Sequence, residues 1–282
     1  MHNELFTIGN HTVTGYGLCL ALAIIAAYFT TEIGIRYYKL NIDIALPMVA
    51  SAVIPGFIGA KLLYLIQNLK EIIENPSILG NSIVDGYVIY GGIIVAIPSV
   101  YICLKIKKVD ILQYMDIGIA SIAIAQCIGR IGCFMAGCCY GKYIADSHWY
   151  TITYTNSKYA VNNVELFPIQ IVMSILDLIN FIILCIHNKK SKIKGATLTL
   201  YMITYGIGRF IIEFFRGDID RGTVGILTTS QFISIFVAII GILLLILLKY
   251  KYKQDIKKQL KLKEQANKSY YSNASKKRRK SK

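Results

Sequence analysis

Seven apolar stretches of roughly 20 residues run through the chain, and no other feature restricts its fold so tightly. A segment crossing about 30 Å of hydrocarbon has no water to bind its backbone, so it must be a helix or part of a closed barrel. Helical spans are expected at about Val13 to Thr31, Ile44 to Asn68, Gly86 to Leu104, Val109 to Ile128, Phe167 to Ile186, Ala196 to Phe215 and Ser230 to Leu248. The fourth contains Asp110 and Asp116 and is the least lipid-like. With 55% hydrophobic and 17% charged residues the chain lacks the charge of a soluble surface. Five prolines, and seven cysteines spread over a long apolar sequence, exclude a disordered, collagen-like or disulfide-stapled chain. The expectation is an all-α polytopic membrane protein with seven transmembrane helices. No positively charged start, short apolar run and cleavage site precede the first span, so no removable signal peptide is expected.

The net charge of +15 would suggest nucleic acid until its location is considered. From Lys249 onward there are 14 Lys or Arg and 2 acidic residues, so the tail alone carries +12 and the rest only +3. The reading is a membrane domain over residues 1–248 and a solvated, disordered basic tail over 249–282. Such a tail rests on anionic headgroups at about 1 kcal/mol per basic residue. Tyr270 and Tyr271 are its only aromatics beyond Tyr250 and Tyr252, and no nucleic-acid partner is expected.

Orientation follows from short-loop Lys and Arg, which resist export. Arg36 and Lys39, then Lys105, Lys107 and Lys108, then Lys189, Lys190, Lys192 and Lys194, share a side with the tail. Lys70, Arg130, Lys142, Lys158, Arg216 and Arg221 are the basic residues of the other side, although its central loop is the longest. Seven crossings then put the N-terminus outside and the C-terminus in the cytoplasm.

This orientation collects unusual residues at one depth. Tyr16 and Gly17 begin span one, Lys61 and Tyr64 end span two, and Tyr90, Gly91 and Gly92 begin span three. Gln126 and Arg130 end span four, and Arg209 and Glu213 end span six. Arg209, Glu213 and Arg216 fall at i, i+4 and i+7, one face of a continuous helix. At 1.5 Å per residue Arg209 lies about 20 Å beyond Ala196, where a charge costs several kcal/mol unless paired or wet. A structural ion pair with Arg216 snorkelling outward is the plainer alternative to a functional site. Tyr90-Gly91-Gly92 likewise has a plain reading, an interfacial aromatic before a close helix contact. Asp116, deeper in span four, either orients an Arg or hydrogen-bonds backbone.

Span four ends in Gly129-Arg130-Ile131-Gly132-Cys133-Phe134-Met135-Ala136-Gly137-Cys138-Cys139-Tyr140-Gly141-Lys142. Its glycines predict a turn or re-entrant loop, opening an extracytoplasmic region over about residues 129–166. A guanidinium presents paired planar donors that match two phosphate oxygens, so Arg130 and Arg209 on separate helices suit an anionic headgroup. Cys133, Cys138 and Cys139 have C-x4-C-C spacing without a nearby His, which differs from zinc-type pairs. They read as small residues in a tight turn, with a disulfide from Cys133 as the alternative and no metal assigned.

These residues resemble the bacterial prolipoprotein diacylglyceryl transferase family. The resemblance rests on Gly129-Arg130-Ile131-Gly132-x-Phe134 with Gly137 and Gly141, and on Tyr205-Gly206 before Arg209-Phe210-x-x-Glu213-Phe214-Phe215-Arg216. Tyr16-Gly17-Leu18, Gly91-Gly92, Asp116 and Pro168-x-Gln170 add to it, over roughly residues 10 to 248. Two departures stand out: Cys133 where the family usually has Asn, and Tyr90 where many members have His.

The resemblance implies transfer of diacylglycerol from phosphatidylglycerol to the lipobox cysteine of a preprolipoprotein in the bacterial cytoplasmic membrane, without a cofactor. It implies Arg130, Arg209, Glu213 and Tyr90 as catalytic residues. Tyr16, Gly91, Gly92, Lys61, Gln126, Gly129, Gly132, Cys133 and Arg216 would line the substrate site, with membrane lipids as partners. The competing classes are a lipid-binding or transport protein without chemistry, for which no internal repeat is apparent, and a membrane thiol oxidoreductase, for which C-x-x-C is missing.

Overall fold

A computed structural model of the chain describes residues 4–8, 11–75, 86–218 and 222–280. Among them, seven helices are long and apolar enough to cross a membrane. The helices are α1 (Gly15–Tyr37), α2 (Ala45–Gln67), the short α3 (Leu69–Glu74), α4 (Ile89–Ile106), α5 (Ile111–Ala136), α6 (Ile169–Lys190), α7 (Ala196–Ile212) and α8 (Thr229–Lys280). All but α3 are the expected spans, with shifted ends. Arg221 lies outside the described residues.

Packing is inverted relative to a soluble protein. Apolar Leu22, Ile58, Ile94, Ile179 and Leu243 are exposed, as side chains facing hydrocarbon are, while polar groups pair between helices. Thr31 and Ser121 meet at 2.7 Å, Cys127 and Ser174 at 3.3 Å, and Thr204 donates to Asn180 at 2.9 Å. Where α2 and α4 touch, a side chain at Gly91 would strike the Gly59 carbonyl, and one at Gly92 would sit 2.9 Å from the Gly56 carbonyl. Small residues on both helices let the backbones approach.

One end of the bundle is tied by Asp116. Its carboxylate accepts from the backbone N–H of Gly195 at 2.6 Å and of Leu198 at 2.8 Å, so it caps the start of α7. Of its two expected roles, the backbone one holds.

Three expectations are corrected. Residues 130–136 form no re-entrant loop: α5 runs on to Ala136 and stops at Gly137, whose φ of +75° is the left-handed cap that glycine adopts freely. Helix is kept because Gly132 fits against α1, where a Cβ would lie 2.9 Å from that of Cys19. The loop therefore begins at Gly137. Second, α7 ends at Ile212 in a 3₁₀ turn over Glu213–Phe215, and Arg216 is extended, with φ −81° and ψ 145°. Arg216 thus leaves the helix face. Third, α8 continues past Leu248 to Lys280 as one helix, since Lys, Gln, Leu and Ala favour helix and no Pro or Gly interrupts them.

The loop after Gly137 folds around Tyr154, Ala160 and Leu166, with two short strands, Ile152–Thr153 and Glu165–Leu166, paired antiparallel. Burial pushes the Tyr154 hydroxyl up to about 12, so it stays a neutral donor and bonds the Phe134 carbonyl at 2.9 Å. Ser157 Oγ donates to the Ala136 carbonyl at 3.1 Å. Two of the last carbonyls of α5 are thereby satisfied, and the loop is pinned to the helix end.

Candidate functional site

The bundle end opposite Asp116 gathers the charged residues. On α7, Arg209 Nη2 lies 2.8 Å from Glu213 Oε2 and donates to Ser230 Oγ of α8 at 3.0 Å. Arg209 Nη1 is also buried but has no hydrogen-bond partner among the described residues. Glu213 Oε2 has ion-pair proximity without hydrogen-bond alignment. On α5, Arg130 makes no hydrogen bond or ion pair among the described residues, yet it lies within electrostatic reach of Arg209, Tyr205 and Cys133. The two guanidiniums expected to meet do share one electrostatic neighbourhood.

Gly129 and Gly208 each precede one of these arginines. A side chain added at either would meet no atom within 4 Å, so open space borders both.

Asp177 of α6 was missing from the expected site. Both Arg130 and Arg209 act on its carboxylate, and its charge is also felt by Tyr201. Its sequence signal was plain: it is the only acidic residue in its apolar span. Tyr205, of the Tyr205-Gly206 pair before Arg209, stacks its ring on Tyr201 at 5.3 Å. Tyr201 in turn donates to Gln126 Oε1 at 2.8 Å, so Gln126 is bound to the same cluster.

Arg216 is 8% exposed and does not snorkel. It forks onto Asp218, Nε to Oδ1 at 3.0 Å and Nη2 to Oδ2 at 2.9 Å. The neighbouring backbone joins the loop to the helix end, with Lys142 N donating to Phe215 O and Gly217 N to Tyr140 O, each at 3.0 Å.

Tyr16, at the start of α1, is within electrostatic reach of Arg130 and of Cys133, Cys138 and Cys139. Gly132 presses on Tyr16 and Cys19, so it sets the approach of α1 to α5. The three cysteines converge, with their Sγ atoms all within 4.8 Å of one another, which the reading as mere small residues in a turn did not foresee. Cys139 has φ +57°, a left-handed conformation uncommon outside glycine. Hydrogen bonds from Cys133 and Cys138, then the charges of Arg216 and Arg130, hold the Cys139 thiol well below its usual range. Donation to Cys133 and Cys139 pushes Cys138 above it. Gln170, fully buried, donates from Nε2 to the Cys138 carbonyl at 2.9 Å.

The remaining expected residues lie on the α2–α4 pair. Lys61 donates to the Gly86 carbonyl at 3.4 Å, with its ammonium 5.2 Å from the Tyr64 ring centre and 4.9 Å from that of Tyr87. Gly91 and Gly92 serve the helix contact already described. No hydrogen bond or ion pair joins Tyr90 to Arg130 or Arg209 among the described residues, whereas Tyr205 lies within electrostatic reach of both arginines and Tyr16 of Arg130.

The sequence model of the family described as "Prolipoprotein diacylglyceryl transferase" matches residues 3–247. The chain is 43% identical to the phosphatidylglycerol–prolipoprotein diacylglyceryl transferase of Clostridium tetani, over 86% of this chain and 96% of that protein. It is 39% identical to phosphatidylglycerol–prolipoprotein diacylglyceryl transferase 2 of Clostridium perfringens, over 86% and 94%. With the enzyme of the same description from Staphylococcus haemolyticus, identity is 31% over 90% of each chain.

Proposed function

Because the chain belongs to the prolipoprotein diacylglyceryl transferase family, we propose how its residues divide the transfer of diacylglycerol from phosphatidylglycerol to a prolipoprotein cysteine. The acceptor thiol loses its proton and attacks the glyceryl carbon that bears the phosphate ester. A carbon–sulfur bond forms, the carbon–oxygen bond breaks, and glycerol phosphate leaves with the electron pair. The leaving group gains charge, so cations fixed beside it in a water-poor site lower the barrier.

Arg130 and Arg209 bind the phosphate. What carries this reading is that two guanidiniums on different helices share one neighbourhood while, among the described residues, Arg209 Nη1 and the donors of Arg130 have no hydrogen-bond partner. Glu213 and Ser230 hold Arg209 in place through Nη2, leaving Nη1 for substrate. Asp177 balances the two positive charges when no lipid is bound. Tyr205 and Tyr16 hydrogen-bond the headgroup, and Arg216 with Asp218 ties the loop over the site.

The same reading places the arginine-bearing end toward the exported leaflet of the bacterial cytoplasmic membrane, where acceptors emerge, with the N-terminus on that side. Residues 1–248 are the catalytic membrane domain. The basic extension 249–282 is on the cytoplasmic side, where its charge is attracted to anionic headgroups. Reconstitution with labelled phosphatidylglycerol and a lipobox peptide tests the whole: a diacylglyceryl thioether and free glycerol phosphate are expected. Recovery of unmodified peptide from folded protein would overturn it.

A further inference from the structure

We propose that Cys133, Cys138 and Cys139 hold one zinc ion whose fourth position takes the acceptor thiol. This rests on the transferase reading above and supplies what the arginine cluster lacks, a group that draws the proton from sulfur.

The argument starts from the three Sγ atoms, all within 4.8 Å of one another, in a chain whose seven cysteines form no disulfide. Tetrahedral Zn–S bonds of 2.3 Å put sulfurs about 3.8 Å apart, so the cluster needs only a small closure to hold the ion. A disulfide would use two of the three sulfurs and leave the convergence of the third unexplained. The backbone also accepts strain to build the cluster: after the glycine cap at Gly137, Cys139 takes the left-handed φ of +57° without being glycine. Gln170 anchors the intervening Cys138 carbonyl.

Donor chemistry selects the ion. Three thiolates are soft ligands that favour zinc over magnesium or calcium, and three protein ligands with an open position mark a catalytic rather than a structural zinc site. Zinc with three thiolates carries a net negative charge, and an added thiolate makes it doubly negative. Arg130 and Arg216, both within electrostatic reach of Cys139, offset that charge.

Location assigns the role. Arg130 and Tyr16 lie within reach of the cysteines, so a thiol bound to the ion stands beside the guanidinium assigned to the phosphate ester. A thiol that coordinates zinc is deprotonated. In the reaction, the acceptor S–H binds the ion and its proton passes to water. A sulfur electron pair forms the bond to the glyceryl carbon, and the carbon–oxygen pair leaves on glycerol phosphate. The neutral thioether then binds zinc more weakly than the thiolate and departs.

The test uses the full chain purified in detergent. About one zinc per chain is expected by elemental analysis, and cobalt substitution should give thiolate-to-cobalt charge-transfer absorption. Zinc should shield three thiols from alkylation in the wild-type protein, a measurement that needs no variant. Cys133→Ser, Cys138→Ser or Cys139→Ser should abolish the shielding and the cobalt band, whereas Cys103→Ser should keep both. A lipobox peptide should shift the cobalt band, and its serine counterpart should not. Chelation should slow thioether formation at least about tenfold, with zinc but not magnesium restoring it.

Zinc well below one per chain after growth in zinc-supplemented medium, or a disulfide at Cys133, would overturn the site. A cobalt band blind to the peptide thiol would overturn the catalytic role. Full transfer by the metal-free chain would also sink the zinc role while leaving the transferase reading intact. If neither form transfers lipid, the transferase reading fails, and metal content with the cobalt spectrum still decides the site.

Discussion

Arg209 Nη2 lies 2.8 Å from Glu213 Oε2, one turn further along, with side-chain exposures of only 10% and 2%. A buried pair of this kind is costly to break from one side, about 3–5 kcal/mol, because the partner is left as an unmatched charge. Glu213→Gln should therefore lower thermal stability in detergent and weaken transfer together. A variant with wild-type melting and activity would show that Arg209 needs no such support.

Arg209→Lys tests donor geometry apart from charge. Lysine keeps the cation but loses the fork that places one nitrogen on Glu213 and Ser230 and leaves another buried without a hydrogen-bond partner among the described residues. Diacylglyceryl transfer should fall by at least about tenfold, equivalent to roughly 1.4 kcal/mol of transition-state stabilisation. Arg130→Lys should behave alike, and retention of full rate in both would remove the paired-donor argument.

Asp177→Asn removes the carboxylate that both arginines act on. With less local negative charge, the arginines should hold phosphatidylglycerol and glycerol phosphate more tightly. The expected signature is a lower KM for lipid together with a lower kcat, since product release slows. A pure rise in KM would contradict the charge-balancing role.

The two tyrosines separate in a paired experiment. Tyr205→Phe should lower transfer about tenfold if its hydroxyl serves the phosphate cluster. Tyr90→Phe should change the rate much less, because no hydrogen bond joins Tyr90 to either arginine among the described residues, whereas both arginines feel the charge of Tyr205. The reverse order would restore Tyr90 as the active tyrosine.

Asp116→Ala addresses stability alone. The carboxylate caps two N–H groups at the start of α7, and its loss should cost about 2 kcal/mol, read as a lower melting temperature. Activity at low temperature should survive, because the cap is at the bundle end opposite Arg209.

The number and order of the spans, the basic extension and the two arginines were all legible in the sequence. Lipid imposes local rules, so twenty apolar residues declare a helix and an intramembrane charge declares itself wherever it stands. By the same rule Asp177, an acidic residue inside an apolar span, is legible too. Tertiary structure decided what spacing does not encode. Gly132 sits inside a helix because it fits against Cys19, and Arg216 leaves its helix to fork onto Asp218. Three cysteines with unpromising spacing converge through a turn containing two left-handed residues. A span depends on hydrophobicity summed along the chain, whereas a site depends on distances between residues far apart in it, and only packing sets those.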